Sequence, residues 1–250
     1  MLGIDEMLVA KLARLGPKPP DEASQAVKKR YSERVSEAVA LVFAQELRER
    51  GLRGTRPLRD GTEEGSGAER RMAGGIGAKK VDVTWSTEES GLLLGLSIKS
   101  INFRDPHTGN FQKNLTNRRG DMLMEAVTLH RRFPYAVLAG FFFLDAGAES
   151  DATQNRDGSA RRRCTFLNAH ARMKLFTGRD DPAGRDEQFE RMYVVLLDSA
   201  AGGVVARATE VGRPDSPVPL ARTFDTLVTL VAERNPDFYQ AADGCIVPAY

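Results

Sequence analysis

Hydrophobic positions along this chain switch between two periods, and the switch points outline its elements. From about Asp21 to Arg50, Val27, Tyr31, Val35, Ala38, Leu41, Val42 and Leu47 recur at helical spacing. Asp21-Glu22 suits the positive N-terminal end of that helix, and Gly51 stops it. A shorter amphipathic helix precedes it in 1–20, ending at Gly16-Pro17 and a Pro-rich joint. Residues 51–78 hold Gly, Arg and acids with little apolar content and read as a loop. The period then falls to two, which predicts strands over 80–86 and 92–102. Val81, Val83 and Trp85 share one face of the first, with Asp82 and Thr84 opposite. In the second, Leu94, Leu96 and Ile98 form the apolar face, with Gly95, Ser97 and Lys99 opposite.

The helical period returns from about Arg119 to Arg132, with a core stripe of Met122, Ala126, Leu129 and then Phe133, and Pro134 ends it. Tyr135–Leu144, YAVLAGFFFL, is continuously apolar and of strand length, as a central strand buried on both faces should be. A polar loop over 146–159 leads to a basic helix, 160–177. Strands over 192–198 and 203–209 then flank Ala201-Gly202-Gly203 like a hairpin, and a helix over 220–233 and a short tail follow. This order predicts an α/β fold, a mixed sheet with helices on both faces.

At 250 residues the chain can bury a full core. It divides into an N-terminal helix and joint (1–20), a core (21–145) and a C-terminal α/β extension (146–250) packed on the same sheet or domain. The net charge of +2 does not announce nucleic acid, so any electrostatic footprint must be local. Basic residues do cluster: Lys79-Lys80, Arg118-Arg119, Arg131-Arg132, and Arg161, Arg162, Arg163, Arg172 and Lys174. Two cysteines, Cys164 and Cys245, are too few for a disulfide framework and fit a reducing compartment. The N-terminus is too short and charged for a secretory signal, and no apolar run approaches membrane-spanning length. A cytoplasmic protein without a membrane partner is the expectation.

The three histidines lack metal-ligand spacing, and His130 reads as a packed or surface residue of its helix. Gly74-Gly75-Ile76-Gly77 precedes a strand rather than a helix, so it fails the context of a phosphate-binding loop. No nucleophile elbow or Cys–His set argues for a small-molecule enzyme. Chemistry concentrates instead in the paired strands, where Asp82 and Lys99 suit a divalent cation and a phosphodiester. Magnesium keeps several waters and takes only one or two protein carboxylates, so a sparse acid set suffices.

Asp82, a spacer of 14 residues and then Ser97-Ile98-Lys99 resembles the motif of the PD-(D/E)XK nuclease superfamily. The helix–strands–helix–strand order over 21–145 is similar to the αβββαβ core of that restriction-endonuclease-like fold. Val81 stands where the motif has proline, and Ser97 where it normally has an acid. Some members look like this arrangement, with a glutamate migrated to the following helix. Glu125 is the natural candidate here, on a stripe with Asp121, Thr128 and Arg132; Glu37 and Glu69 are the other carboxylates considered.

The resemblance implies a Mg²⁺-dependent (or Mn²⁺-dependent) DNA endonuclease of restriction or anti-phage defence, acting as a homodimer. Its catalytic residues would be Asp82, Ser97, Lys99 and Glu125, with Asp82 and Glu125 holding the metal. Lys80, Asn114, Asn117, Arg118 and Arg119 are the expected DNA contacts, since Asn and Arg read base edges and basic groups bind phosphates. The segment from Asn110 to Arg119 serves equally as a capping segment, with Thr116 or Asn117 as N-cap. The alternative is a catalytically degenerate member of the same fold that binds DNA or serves as an assembly subunit.

Overall fold

The structure, a computed structural model, describes residues 2–58, 70–73, 77–154, 160–198 and 204–249. Two helices open the chain, α1 (Ile4–Ala13) and α2 (Gln25–Glu49). The Ser24 hydroxyl accepts from Val27 N and so sets the start of α2, past the predicted Asp21-Glu22. Strands β1 (Arg70–Ala73), β2 (Ala78–Val81), β3 (Val83–Thr87) and β4 (Gly91–Ile101) follow, then α3 (Leu115–His130) and β5 (Val137–Asp145). Next come β6 (Thr153–Gln154), β7 (Ala160–Arg162), α4 (Thr165–Met173), β8 (Arg191–Asp198) and β9 (Val204–Glu210). The chain closes with α5 (Leu220–Arg234) and a hairpin of β10 (Tyr239–Ala242) and β11 (Cys245–Pro248). No described helix is long and apolar enough to cross a membrane.

A five-stranded mixed sheet in the order β3-β4-β5-β8-β9 carries the fold. Its inner strands β4, β5 and β8 run parallel, and β3 and β9 close the edges antiparallel. The YAVLAGFFFL run is the central strand, as its two-sided apolarity requires. Val137, Ala139, Phe141 and Phe143 enter a core with α1, α2 and α5, while Leu138, Phe142 and Leu144 enter a second core with α3 and α4. Phe43, Phe141 and Phe224 meet at ring-centroid distances of 4.8 to 6.0 Å, contacts worth about 0.5–1.5 kcal/mol each beyond their burial.

Four local expectations are corrected. The strand predicted over 80–86 is broken at Asp82: β2 pairs with β1, and β3 pairs with β4. Val81 therefore packs in the α3/α4 core while Val83 and Trp85 pack in the other, and the three do not share a face. Helix α3 starts at Leu115 rather than Arg119, with Asn114 (φ 142°) as its N-cap in place of Thr116 or Asn117. The basic segment 160–177 forms β7 before α4, so Arg162 and Arg163 precede the helix. The segment expected as a loop over 51–78 includes β1 and the start of β2.

The opposite end of the parallel strands is tied by buried ions. Glu190, fully buried, takes Arg234 Nη1 at 2.6 Å, Arg179 Nη1 at 3.0 Å and the Leu138 N–H at 2.6 Å. His130 Nε2 stands 3.4 Å from the same carboxylate, whose pKa is lowered: burial pushes it up, and His130 and Arg234 outweigh that. His130 is thus a packed core residue, as the sequence suggests.

Candidate active site

Strand β4 places the chemistry by alternation. Leu94, Leu96 and Ile98 enter the core under α2, which turns Gly95, Ser97 and Lys99 toward α3. A Cβ on Gly95 would meet Leu138, Val81 and Leu92, all members of the α3/α4 core, which fixes that direction. Asp82 lies at the break between β2 and β3, and its Oδ2 accepts from the Ile98 N–H at 2.5 Å. The main chain of β4 thereby holds the acid against the strand that carries the lysine.

From α3, Glu125 reaches the same place although it is only 6% exposed. Lys99 Nζ lies 2.9 Å from Glu125 Oε1 and 3.7 Å from Asp82 Oδ2. The Ser97 hydroxyl donates to the other oxygen, Glu125 Oε2. Burial alone would lower the pKa of Lys99, but the charges of Glu125 and Asp82 outweigh it and raise it. The ammonium is therefore retained at neutral pH, and it cannot serve as a base there.

The four residues expected from sequence to act together do converge. Glu37 lies on the wall of the adjoining cleft, and Glu69 lies outside the described residues. Among the described residues, no group of three or more His, Cys, Asp or Glu side chains is placed to hold a metal ion. A pair remains, and a pair meets the magnesium requirement of one or two protein carboxylates. Two oxygens bound to one Mg²⁺ at about 2.1 Å each must stand within about 4 Å of one another. Asp82 Oδ2 and Glu125 Oε1 already face a common cation, the Lys99 ammonium, at 3.7 and 2.9 Å.

The cleft has a volume of about 890 Å³ and lies between the N-terminal half of α2, the C-terminal end of β4 and the start of α3. Asp82 and Lys99 face it. Of the expected DNA contacts, Lys80, Asn114 and Arg118 line it. Asn117 is exposed elsewhere on α3, and Arg119 stacks on Phe176 with its guanidinium carbon 5.7 Å from the ring centre. Asn114 makes no side-chain cap, so its amide remains available on the cleft wall.

Lys28, Lys29, Arg104 and Lys113 add to the basic lining, and basic residues outnumber Glu33, Glu37, Asp82 and Asp105. These contributors were not anticipated, because they are scattered in sequence and only the packing of α2 on β4 gathers them. The same applies to Ser32, Ser36, Ser100 and Asn102 on the cleft floor. A signal for them did exist: the apolar face Leu94, Leu96, Ile98 turns polar at Ser100 and Asn102 without a change of period.

His170, a candidate acid–base group by type alone, is committed elsewhere. The Gly212 N–H donates to Nδ1 at 3.1 Å, so the ring proton sits on Nε2 and faces Thr209 Oγ1 at 3.1 Å. Burial, then the nearby Arg207, pushes its pKa down to about 4, with Asp215 opposing. Comparison with known proteins returns no match to this chain among family models, curated proteins or solved structures.

Proposed function

We propose that this protein is a metal-dependent DNA endonuclease that hydrolyses phosphodiester bonds at the Asp82–Lys99–Glu125 cluster. The observation that carries the reading is the meeting of an acid from a strand break, a lysine from the next strand and a glutamate from the following helix around one ammonium. The succession α2, β2–β3, β4, α3, β5 is similar to the αβββαβ core of restriction endonucleases, and we read the fold as of that kind. The cleft opens beyond the carboxyl end of β4, where open α/β sheets tend to bind ligands.

Asp82 and Glu125 would hold Mg²⁺, with Mn²⁺ as a substitute. When bound, the ion supplies Lewis-acid polarisation of the phosphate and a water of lowered pKa. The Ile98 N–H and the Ser97 hydroxyl each orient one carboxylate, so neither acid must be ordered at the moment of reaction. Lys99 stays protonated, orients the attacking water and offsets the negative charge that builds on the phosphate. Lys80, Arg118 and the other basic residues of the cleft neutralise flanking phosphates. Cutting both strands of a duplex calls for two such sites, hence a homodimer, and restriction or anti-phage defence is the setting this activity suits.

Plasmid DNA with Mg²⁺ tests the reading. The wild-type chain nicks or linearises it, a chelator stops the reaction, and Asp82→Ala and Lys99→Ala each abolish it while remaining folded. Normal cutting by Asp82→Ala refutes the assignment. One observation favours a second reading, a DNA-binding module without catalysis: both oxygens of Glu125 are already engaged, by Ser97 and Lys99. Calorimetry showing salt-sensitive DNA binding without uptake of Mg²⁺ or Mn²⁺ selects that module.

A further inference from the structure

Past the metal-site residues, the face of β4 that began as Leu94, Leu96 and Ile98 continues as Ser100 and then Asn102. Both are buried, Ser100 at 8% and Asn102 at 4% exposure, and both line the cleft. Buried polar side chains in a position that continues a core stripe need a reason, because desolvating them is costly unless they are paired. Part of the reason is a seam to α2. Asn102 Nδ2 donates to Ser32 Oγ at 3.1 Å and to Ser100 Oγ at 3.2 Å, and the Ser100 and Ser36 hydroxyls stand 3.4 Å apart. Ser32 and Ser36 are one turn apart on α2, so one face of that helix is stitched to the end of the strand.

The seam satisfies only the amino end of the Asn102 side chain. Among the described residues nothing hydrogen-bonds its Oδ1. A side chain that is 96% buried, with its amino group held by two hydroxyls, thus keeps one fixed acceptor at the cleft floor. Its distance from Lys99 is three residues of extended chain, about 10 Å. That is about three base steps along a duplex strand.

We propose that Asn102 is a specificity-determining residue, whose Oδ1 accepts a hydrogen bond from the exocyclic amino group of a base within about three steps of the scissile phosphodiester. The inference rests on the nuclease reading above and names what the cleft selects. With Nδ2 occupied, Asn102 cannot make the two-bond contact to adenine; it reads a donor alone. Adenine and cytosine offer an amino group in the major groove and guanine offers one in the minor groove, whereas thymine offers only acceptors and a methyl group in either. The cleft therefore excludes thymine on the contacted strand at one position near the cut. The serine seam pre-orients the acceptor.

The test is cleavage of a duplex pool randomised in sequence, with Mg²⁺, followed by sequencing of the ends released. The wild-type chain under-represents thymine at one position within about three bases of the cut, by about five- to tenfold, the worth of one neutral hydrogen bond. Asn102→Ala flattens that position and leaves the others as they were. Asn102→Asp, which is isosteric and keeps an acceptor, retains the exclusion. A wild-type profile indifferent to thymine at every such position overturns the proposal, as does an Asn102→Ala profile identical to wild type. Should Asn102→Ala not fold, loss of the exclusion in Asn102→Asp overturns it. A wild-type chain that releases no Mg²⁺-dependent ends, or one matched by Asp82→Ala, refutes the nuclease reading itself and the proposal with it.

Discussion

The Ser97 hydroxyl donates its hydrogen bond to Glu125 Oε2, across 28 positions of sequence and from strand to helix. Ser97 on the strand is therefore a holder of the acid that comes from the helix. A hydroxyl bonded to a carboxylate makes a charge-assisted hydrogen bond, and a bond of that kind contributes about 1.5–3 kcal/mol.

Two substitutions at this position separate holding from ligation. Ser97→Ala removes the hydroxyl from Glu125 Oε2 and is expected to lower stability by about 2 kcal/mol and, on the proposed nuclease reading, to weaken cleavage more than DNA binding. Ser97→Asp sets a second carboxylate against Glu125. Its melting temperature should fall below that of Ser97→Ala in chelator and recover selectively when Mg²⁺ or Mn²⁺ is added. Thermal melts with and without metal decide it; a Ser97→Asp variant indifferent to metal counts against a cation at this site.

Lys99 makes a pH prediction with a definite sign. Its folded pKa lies above the unfolded value of about 10.4, because Glu125 and Asp82 outweigh the effect of burial. The stability it contributes is complete below about pH 10.4 and is lost as pH rises through the higher folded value. Lys99→Met, which leaves the two carboxylates facing each other, should be about 3 kcal/mol less stable than wild type at neutral pH. Urea titrations should show that gap closing as pH rises beyond about 10.4.

His170 titrates in the other direction. With a folded pKa of about 4, it is neutral in the native state, so its contribution is present above the unfolded value of about 6.5 and is lost as pH falls from there toward 4. His170→Gln has no proton to gain. Its stability should fall less steeply than that of wild type across this window, as read by denaturant midpoints. Parallel curves for the two proteins would show that His170 does not carry the slope.

Glu190 anchors the end of the sheet away from the cleft. Glu190→Gln leaves Arg179 and Arg234 buried without their counter-charge and is expected to cost about 3–5 kcal/mol. That corresponds to a fall of roughly 6–20 °C in Tm for a chain of this size. Below the new Tm, the metal-dependent cleavage we propose should be the same in the variant and the wild type, because none of these residues lines the cleft.

Long periodic segments made much of this architecture legible. The α2 stripe, the apolar face of β4, the two-sided apolarity of β5 and the β8–β9 hairpin follow directly from side-chain period. Glu125 was legible too, because it shares a helical stripe with Thr128, and both are buried as that stripe packs on the sheet. The break at Asp82 was not. Val81, Val83 and Trp85 keep a perfect alternation, and only the pairing of β2 with β1, the strand just before it, turns Val81 away from the others. The start of α3 was hidden for a different reason: Asn114 adopts a positive φ without a side-chain cap, so the usual capping signature is missing. The floor of the cleft depends on α2 meeting β4, a contact that no local pattern encodes.

The crossing at Asp82 gives the two acids unequal freedom to move in evolution or in redesign. A single residue inserted or deleted there would exchange Val81 and Val83 between two filled cores, so the strand acid cannot be shifted along its chain without rebuilding both sides of the sheet. The helix acid is held by side chains, Ser97 and Lys99 among them, and its position does not set which core its neighbours fill. A carboxylate one turn along α3, at Asp121 or Thr128, stays on the same face of the helix. Asp82 is the fixed half of the pair and Glu125 the portable one, and variation in the spacing of this site should be confined to the helix.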